Sequence, residues 1–220
     1  LVLSTLNIDG SLGVPSLVRD NDGATARVYS PVAAVAADRS VLVWEEHLYA
    51  TNSSRIMLAE TDLAGAVVTA PRIVAPSGRT PRIVDSGGDR FLFWHDGQDP
   101  EARLTFARLG AGGELSAPMP TAVGATSSLE IIATDGGFVV TYRKFGTDEG
   151  GYHFVSLDAD GALRGEPVVL TPNYFVGPFA DGPPAVVRRG AALIGAWPER
   201  DDPAFGATLR FAPFRAPGTP

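Results

Sequence analysis

The side chains best able to do chemistry in this sequence follow four aromatic residues. Behind Trp44 come Glu45, Glu46 and His47; behind Trp94, His95 and Asp96; behind Tyr142, Arg143 and Lys144; and behind Trp197 come Glu199, Asp201 and Asp202. With Asp99 and Asp148, these carboxylates recur along the chain. Two that converge on a depression can hold a cation, or act as acid and base at a glycosidic bond. The plainer alternative is a set of solvated loop acids and turn formers, such as Asp99-Pro100 and Asp202-Pro203. No spacing among them matches a recognised ligand loop.

The three histidines are His47, His95 and His153. His47 and His95 are placed to meet, whereas His153 falls mid-strand in Gly-Tyr-His-Phe-Val, a packing or hydrogen-bonding position. A zinc site needs at least three protein ligands in register, so neither a metal nor a cofactor is expected. Tyr174, Phe175 and Phe179 cluster amid Pro and Gly; they can stack on a sugar or anchor a partner, or simply cap sheet edges. Asn52-Ser53-Ser54 matches a glycosylation sequon, a motif short enough to arise by chance. No Ser/His/Asp triad, phosphate-binding glycine loop or nucleic-acid motif is recognisable, and no catalytic residue is assigned.

Composition narrows the classes further. The absence of cysteine removes disulfides, thiolate metal sites and cysteine nucleophiles. A net charge of −7 argues against nucleic acid, whose binding rests on neutralising phosphates, and reads as solubility. No apolar run approaches the roughly 18 residues that cross a bilayer, so no membrane span is expected. The first residues, Leu-Val-Leu-Ser-Thr-Leu-Asn, have no basic region or cleavage pattern and no initiator Met, as in a processed product or a piece of a longer chain.

The elements that must position these residues form a repeat. The aromatics at 44, 94, 142 and 197 recur at about fifty residues, each closing a pair of apolar runs joined by a tight polar turn. Between them lies a second pattern, in which a turn Gly is followed within a few residues by Pro: Gly10 and Pro15, Gly65 and Pro71, Gly113 and Pro118, Gly161 and Pro167. Tight hairpins need positive φ, which suits Gly. Pro lacks an N–H and belongs on an outer strand. Two hairpins per repeat give four strands.

The fold predicted is therefore all-β, a β-propeller of four-stranded antiparallel blades with four to five blades visible, or an arc of a larger ring. Residues 1–220 read as one domain: a half blade at 1–18, full blades at 30–74, 81–123 and 128–170, and a partial blade at 184–214. Inner strands are expected at Pro81–Ser86, Glu130–Thr134 and Pro184–Val187. The chain resembles the repeat β-propellers of secreted or surface bacterial proteins, through Asn7-Ile8-Asp9-Gly10-Ser11-Leu12 and Leu157-Asp158-Ala159-Asp160-Gly161-Ala162-Leu163. That resemblance implies an extracytoplasmic setting and no particular activity.

Hairpin turns are short at one end of such blades, and the longer connections emerge at the other, where function usually sits. The expected ligand-binding residues are accordingly His47, His95, Asp96, Arg143, Lys144, Tyr174, Phe175, Glu199 and Asp201. Repetition without a unique polar constellation favours a non-enzymatic binding scaffold for a protein or glycan. The alternative is a carbohydrate-active, glycosidase-like enzyme fragment using carboxylates of the same end.

Overall fold

The computed structural model describes residues 1–4, 15–19, 23–36, 38–97, 101–124, 126–144, 152–169, 185–189, 192–199 and 208–214. Among them there is no helix. Strands β1 (Val2–Leu3) and β2 (Ser16–Leu17) form a small antiparallel pair. A four-stranded antiparallel sheet follows from β3 (Ala26–Val35), β4 (Arg39–Leu48), β5 (Ser53–Asp62) and β6 (Val67–Ala75), in sequence order. The next contains β7 (Arg79–Ser86), β8 (Asp89–Asp96), β9 (Arg103–Leu109) and β10 (Met119–Pro120). A third contains β11 (Thr126–Thr134), β12 (Gly137–Lys144), β13 (Tyr152–Asp158) and β14 (Val168–Val169). The last has β15 (Ala185–Arg189), β16 (Ala192–Glu199) and β17 (Thr208–Phe214).

Successive four-stranded sheets of neighbouring strands are blades, and the fold is a β-propeller. β7, β11 and β15 cover the expected inner-strand positions, apart from Pro184, which lies outside the described residues. The central strands explain their composition. Val41 to Glu46 of β4 are all buried, as a strand covered on both faces requires, whereas β3 alternates between covered and exposed positions.

The repeated turn has one geometry. Gly65, Gly113 and Gly161 all take positive φ (92°, 73° and 81°). Each donates its N–H to the residue three positions earlier, Asp62, Gly110 and Asp158, at 3.0, 3.0 and 3.1 Å. Pro71 lies in β6, and Pro118 and Pro167 each immediately precede a short outer strand, where the missing N–H costs no ladder bond.

Packing divides the chain into two compact units: residues 1–83, 89–97 and 107–118, and residues 84–88, 98–106 and 119–220. In the first, Val41, Val43, Ile56 and Leu58 share a core with Leu92, Trp94, Ala107 and Leu109. The opposite face of the same sheet buries Leu42, Trp44, Met57 and Ala59 beneath Val18 and Leu1. In the second unit, Val139 and Phe154 pack on Val186 and Leu193, and Phe106 meets Phe138 edge-on at 5.8 Å.

Candidate functional site

The residues after the closing aromatics are expected in loops, and the structure corrects this. Glu45 to His47 stay in β4, His95 and Asp96 in β8, Arg143 and Lys144 in β12, and Glu199 in β16. The ladder of β4 with β5 runs on to Leu48 and Ser53. Polar residues can occupy this buried stretch because each finds a partner.

Strand alternation sends Glu46 to one face and Glu45 with His47 to the other. Glu46 is 1 % exposed and accepts from Arg19 Nε (2.8 Å) and Arg55 Nε (2.8 Å). One buried carboxylate between two guanidinium groups is a structural clasp, holding Arg19 and its strand neighbours onto the sheet.

The other face carries a continuous polar relay. His47 Nδ1 lies 3.1 Å from Ser54 Oγ, which donates to Glu45 Oε1 at 2.7 Å. The second oxygen, Oε2, accepts the backbone N–H of Thr80 at 3.1 Å, and Thr80 Oγ1 stands 2.7 Å from His95 Nδ1. Glu45 and His95 are buried; His47 is partly open and Asp96 is exposed.

The backbone is strained around this relay. Three non-glycine residues of the described chain have positive φ: Ser30, Asn52 and Thr80, each at 48°. Ser30 sits at the bulge of β3 beside Tyr29, the cross-strand partner of Glu45. Asn52 ends the turn before Ser53 and Ser54, and Thr80 bonds Glu45 directly. Such conformations cost about 1–3 kcal/mol each and gather at functional sites. Ser30 and Thr80 each precede a proline, which makes the departure from extended backbone sharper.

Above the relay lies an aromatic surface. The ring of His47 packs edge-on against Tyr29 (6.3 Å, 74°) and Tyr49 (5.7 Å, 76°). Both tyrosines are exposed, and Arg27 lies 5.1 Å from the Tyr29 ring centre. Exposed aromatic rings thus lie on the same sheet face as a buried carboxylate, and such rings can stack on a sugar.

Of the expected site residues, the structure joins His47 to His95 through Ser54, Glu45 and Thr80, with Asp96 next in chain. Arg143 belongs to the second unit, where it is partly buried opposite Tyr152. Lys144 and Glu199 have described backbones, and their side chains lie outside the description, as do Tyr174, Phe175 and Asp201 altogether. His153 is buried in β13 and stacks on Tyr142 at 5.4 Å. Among the described residues no group of three or more His, Asp or Glu side chains converges to hold a metal. In the second unit a cleft of about 370 Å³ is lined by Glu101, Arg103, Thr121 and their neighbours.

Sequence reasoning overlooked Arg27, Tyr29, Tyr49, Ser54 and Thr80. One signal was available: Ser30-Pro31 and Thr80-Pro81 occupy the same place in successive repeats, ahead of the apolar runs that lead to Trp44 and Trp94.

No family model and no curated protein matches the sequence. Solved structures do share the fold. The chain is similar to the catalytic domain of a Coprinopsis cinerea GH62 α-L-arabinofuranosidase (10 % identity, 92 % of this chain, 69 % of that one, TM-score 0.57). It is also similar to a family 117 glycoside hydrolase of the marine bacterium Zobellia galactanivorans (12 %, 88 % and 69 %, TM-score 0.59). A third is a GH43_1 enzyme from Xanthomonas citri complexed with xylotriose (12 %, 84 % and 73 %, TM-score 0.53). Likeness at such identity carries the fold. It nevertheless corrects the expectation of a non-enzymatic binding scaffold: these neighbours are glycoside hydrolases, which favours the carbohydrate-active alternative. Repetition had hidden the relay, because its members come from three different strands and one strand start.

Proposed function

We propose that this protein acts on carbohydrate as a glycoside hydrolase, seating a saccharide on the Tyr29–His47–Tyr49 surface above Glu45. The observation that carries the reading is the concentration of backbone strain and buried polar bonding around one carboxylate, in a fold shared with glycoside hydrolases. Hydrolysis of a glycosidic bond uses two carboxyl groups. Asp96 is the exposed carboxylate, open to a sugar and to water. Glu45 is the buried one, fixed between Ser54 and Thr80, and orients the two histidines. In this reading residues 1–220 work as one propeller domain, the partner is a glycan, and the setting is extracytoplasmic, where polymeric glycans are met.

The test is release of reducing sugar from a panel of aryl glycosides and plant, algal and bacterial polysaccharides. The wild-type protein is expected to cleave at least one. Asp96→Asn is expected to lower kcat by about a hundredfold or more, the usual worth of a general acid or base. Unchanged turnover in Asp96→Asn and Glu45→Gln, or no cleavage of any substrate by folded protein, sinks the proposal.

A further inference from the structure

Arg27 differs from Arg19, Arg39 and Arg55. Arg19 and Arg55 are spent on Glu46, and Arg39 on Asp38 and Glu60. Arg27 is exposed, has no carboxylate partner among the described residues, and lies over the Tyr29 ring. Its cross-strand partner is His47, and that of Tyr29 is Glu45. Glu45 does not claim the cation, since both its oxygens already accept from Ser54 and Thr80. A guanidinium with no carboxylate partner among the described residues thus borders the aromatic surface of a protein whose net charge is −7.

From this we infer that the site takes an acidic saccharide, with Arg27 binding the carboxylate of a uronic acid residue. The inference rests on the proposed carbohydrate reading and adds the substrate class. The planar fork of arginine matches a planar carboxylate with two parallel hydrogen bonds. Contact with Tyr29 restricts the side chain in advance, so less freedom is lost on binding. The rings of Tyr29 (38 % exposed) and Tyr49 (44 % exposed) offer apolar faces for the C–H side of the sugar. Tyr49 is held in place through its N–H, which donates to Thr25 O at 3.1 Å. The β3 bulge at Ser30 sets this register, by keeping Arg27 and Tyr29 on the side of His47 and Glu45.

The experiment is calorimetric titration of the 220-residue protein with galacturonate, glucuronate and mannuronate oligosaccharides, their methyl esters, and a sulfated oligosaccharide. At least one acidic oligomer is expected to bind about tenfold more tightly than its own methyl ester, the worth of one exposed charge-assisted contact. That preference is expected to shrink as salt rises. Arg27→Gln removes the preference by weakening the acid far more than the ester, whereas Tyr49→Ala weakens both forms alike. Equal binding of acid and ester, or a preference that survives Arg27→Gln, overturns the inference while leaving the carbohydrate reading in place. Tighter binding of the sulfated probe overturns the carboxylate assignment. Binding of no saccharide in any form overturns both.

Discussion

Thr80 hands its backbone N–H to Glu45 Oε2 at 3.1 Å, and it does so from a left-handed conformation, φ 48°. A β-branched residue pays for that conformation, and the hydroxyl bond to His95 offsets part of the cost. The two contributions separate by substitution. Thr80→Ala keeps the strain and loses the hydroxyl bond, for a cost of about 0.5–1.5 kcal/mol. Thr80→Gly loses the same bond and relieves the strain, so it is expected to be more stable than Thr80→Ala by about 1 kcal/mol. Urea midpoints measure the difference, and an alanine variant as stable as the glycine one would remove strain from the account.

Gly78 lies one strand start away, and its N–H donates to Ser54 O at 3.0 Å. A methyl group on Gly78 would stand 2.7 Å from Ile56 Cγ1 and 2.8 Å from Trp94 Cδ1, both in the core of the first unit. Gly78→Ala is expected to cost about 1–3 kcal/mol by overpacking. Gly124→Ala, with open space at that position, is expected to stay within about 0.5 kcal/mol of wild type. Thermal melts of the pair decide it; equal midpoints mean that Trp94 can move aside freely.

Trp94 tests the repeat itself. It is 1 % exposed and shares a core with Val41, Val43, Ile56 and Leu58. Trp94→Ala is expected to cost about 3–5 kcal/mol. Its indole Nε1 finds no hydrogen-bond partner among the described residues, so Trp94→Phe is expected to lose packing area and no polar bond. The Phe variant should therefore retain most of the lost stability. An unfolding midpoint unmoved by Trp94→Ala would exclude the position from the core.

What the sequence made legible was whatever repeats. Trp44, Trp94 and Tyr142 share a repeat position and are all buried, and three of the turn glycines share one hydrogen-bond pattern. Trp197 has its backbone in β16, and its side chain lies outside the described residues. What stayed hidden was whatever breaks the period. The bulge at Ser30 shifts the register of β3 against β4, so counting by twos along the chain could not pair Arg27 with His47 or Tyr29 with Glu45. Thr80 precedes a proline, a position that favours extended backbone, yet its φ is positive. Glu45 read as a loop acid because a charged residue in a central strand is unfavourable until its partners are known. Those partners, Ser54 and Thr80, are nine and thirty-five residues away in sequence.

Tyr142 gives a pH-dependent test in the second unit. It is buried, and its ring stacks on His153 at 5.4 Å with an interplanar angle of 19°. Burial raises the phenol above its ordinary value of 10.0, because the interior disfavours the phenolate. The sign follows from linkage. Below the unfolded value both states hold the proton, and the contribution to stability is complete. As pH rises past about 10 the unfolded chain releases its proton first, and stability is lost until pH passes through the folded value. The denaturation midpoint of wild type is therefore expected to fall more steeply above pH 10 than that of Tyr142→Phe, with the two curves parallel near neutrality. Phenolate absorbance should show one tyrosine fewer among the late-titrating groups in the variant. Identical alkaline slopes for the two proteins would mean that Tyr142 ionises without opposing burial, and that the stacked pair is open to solvent.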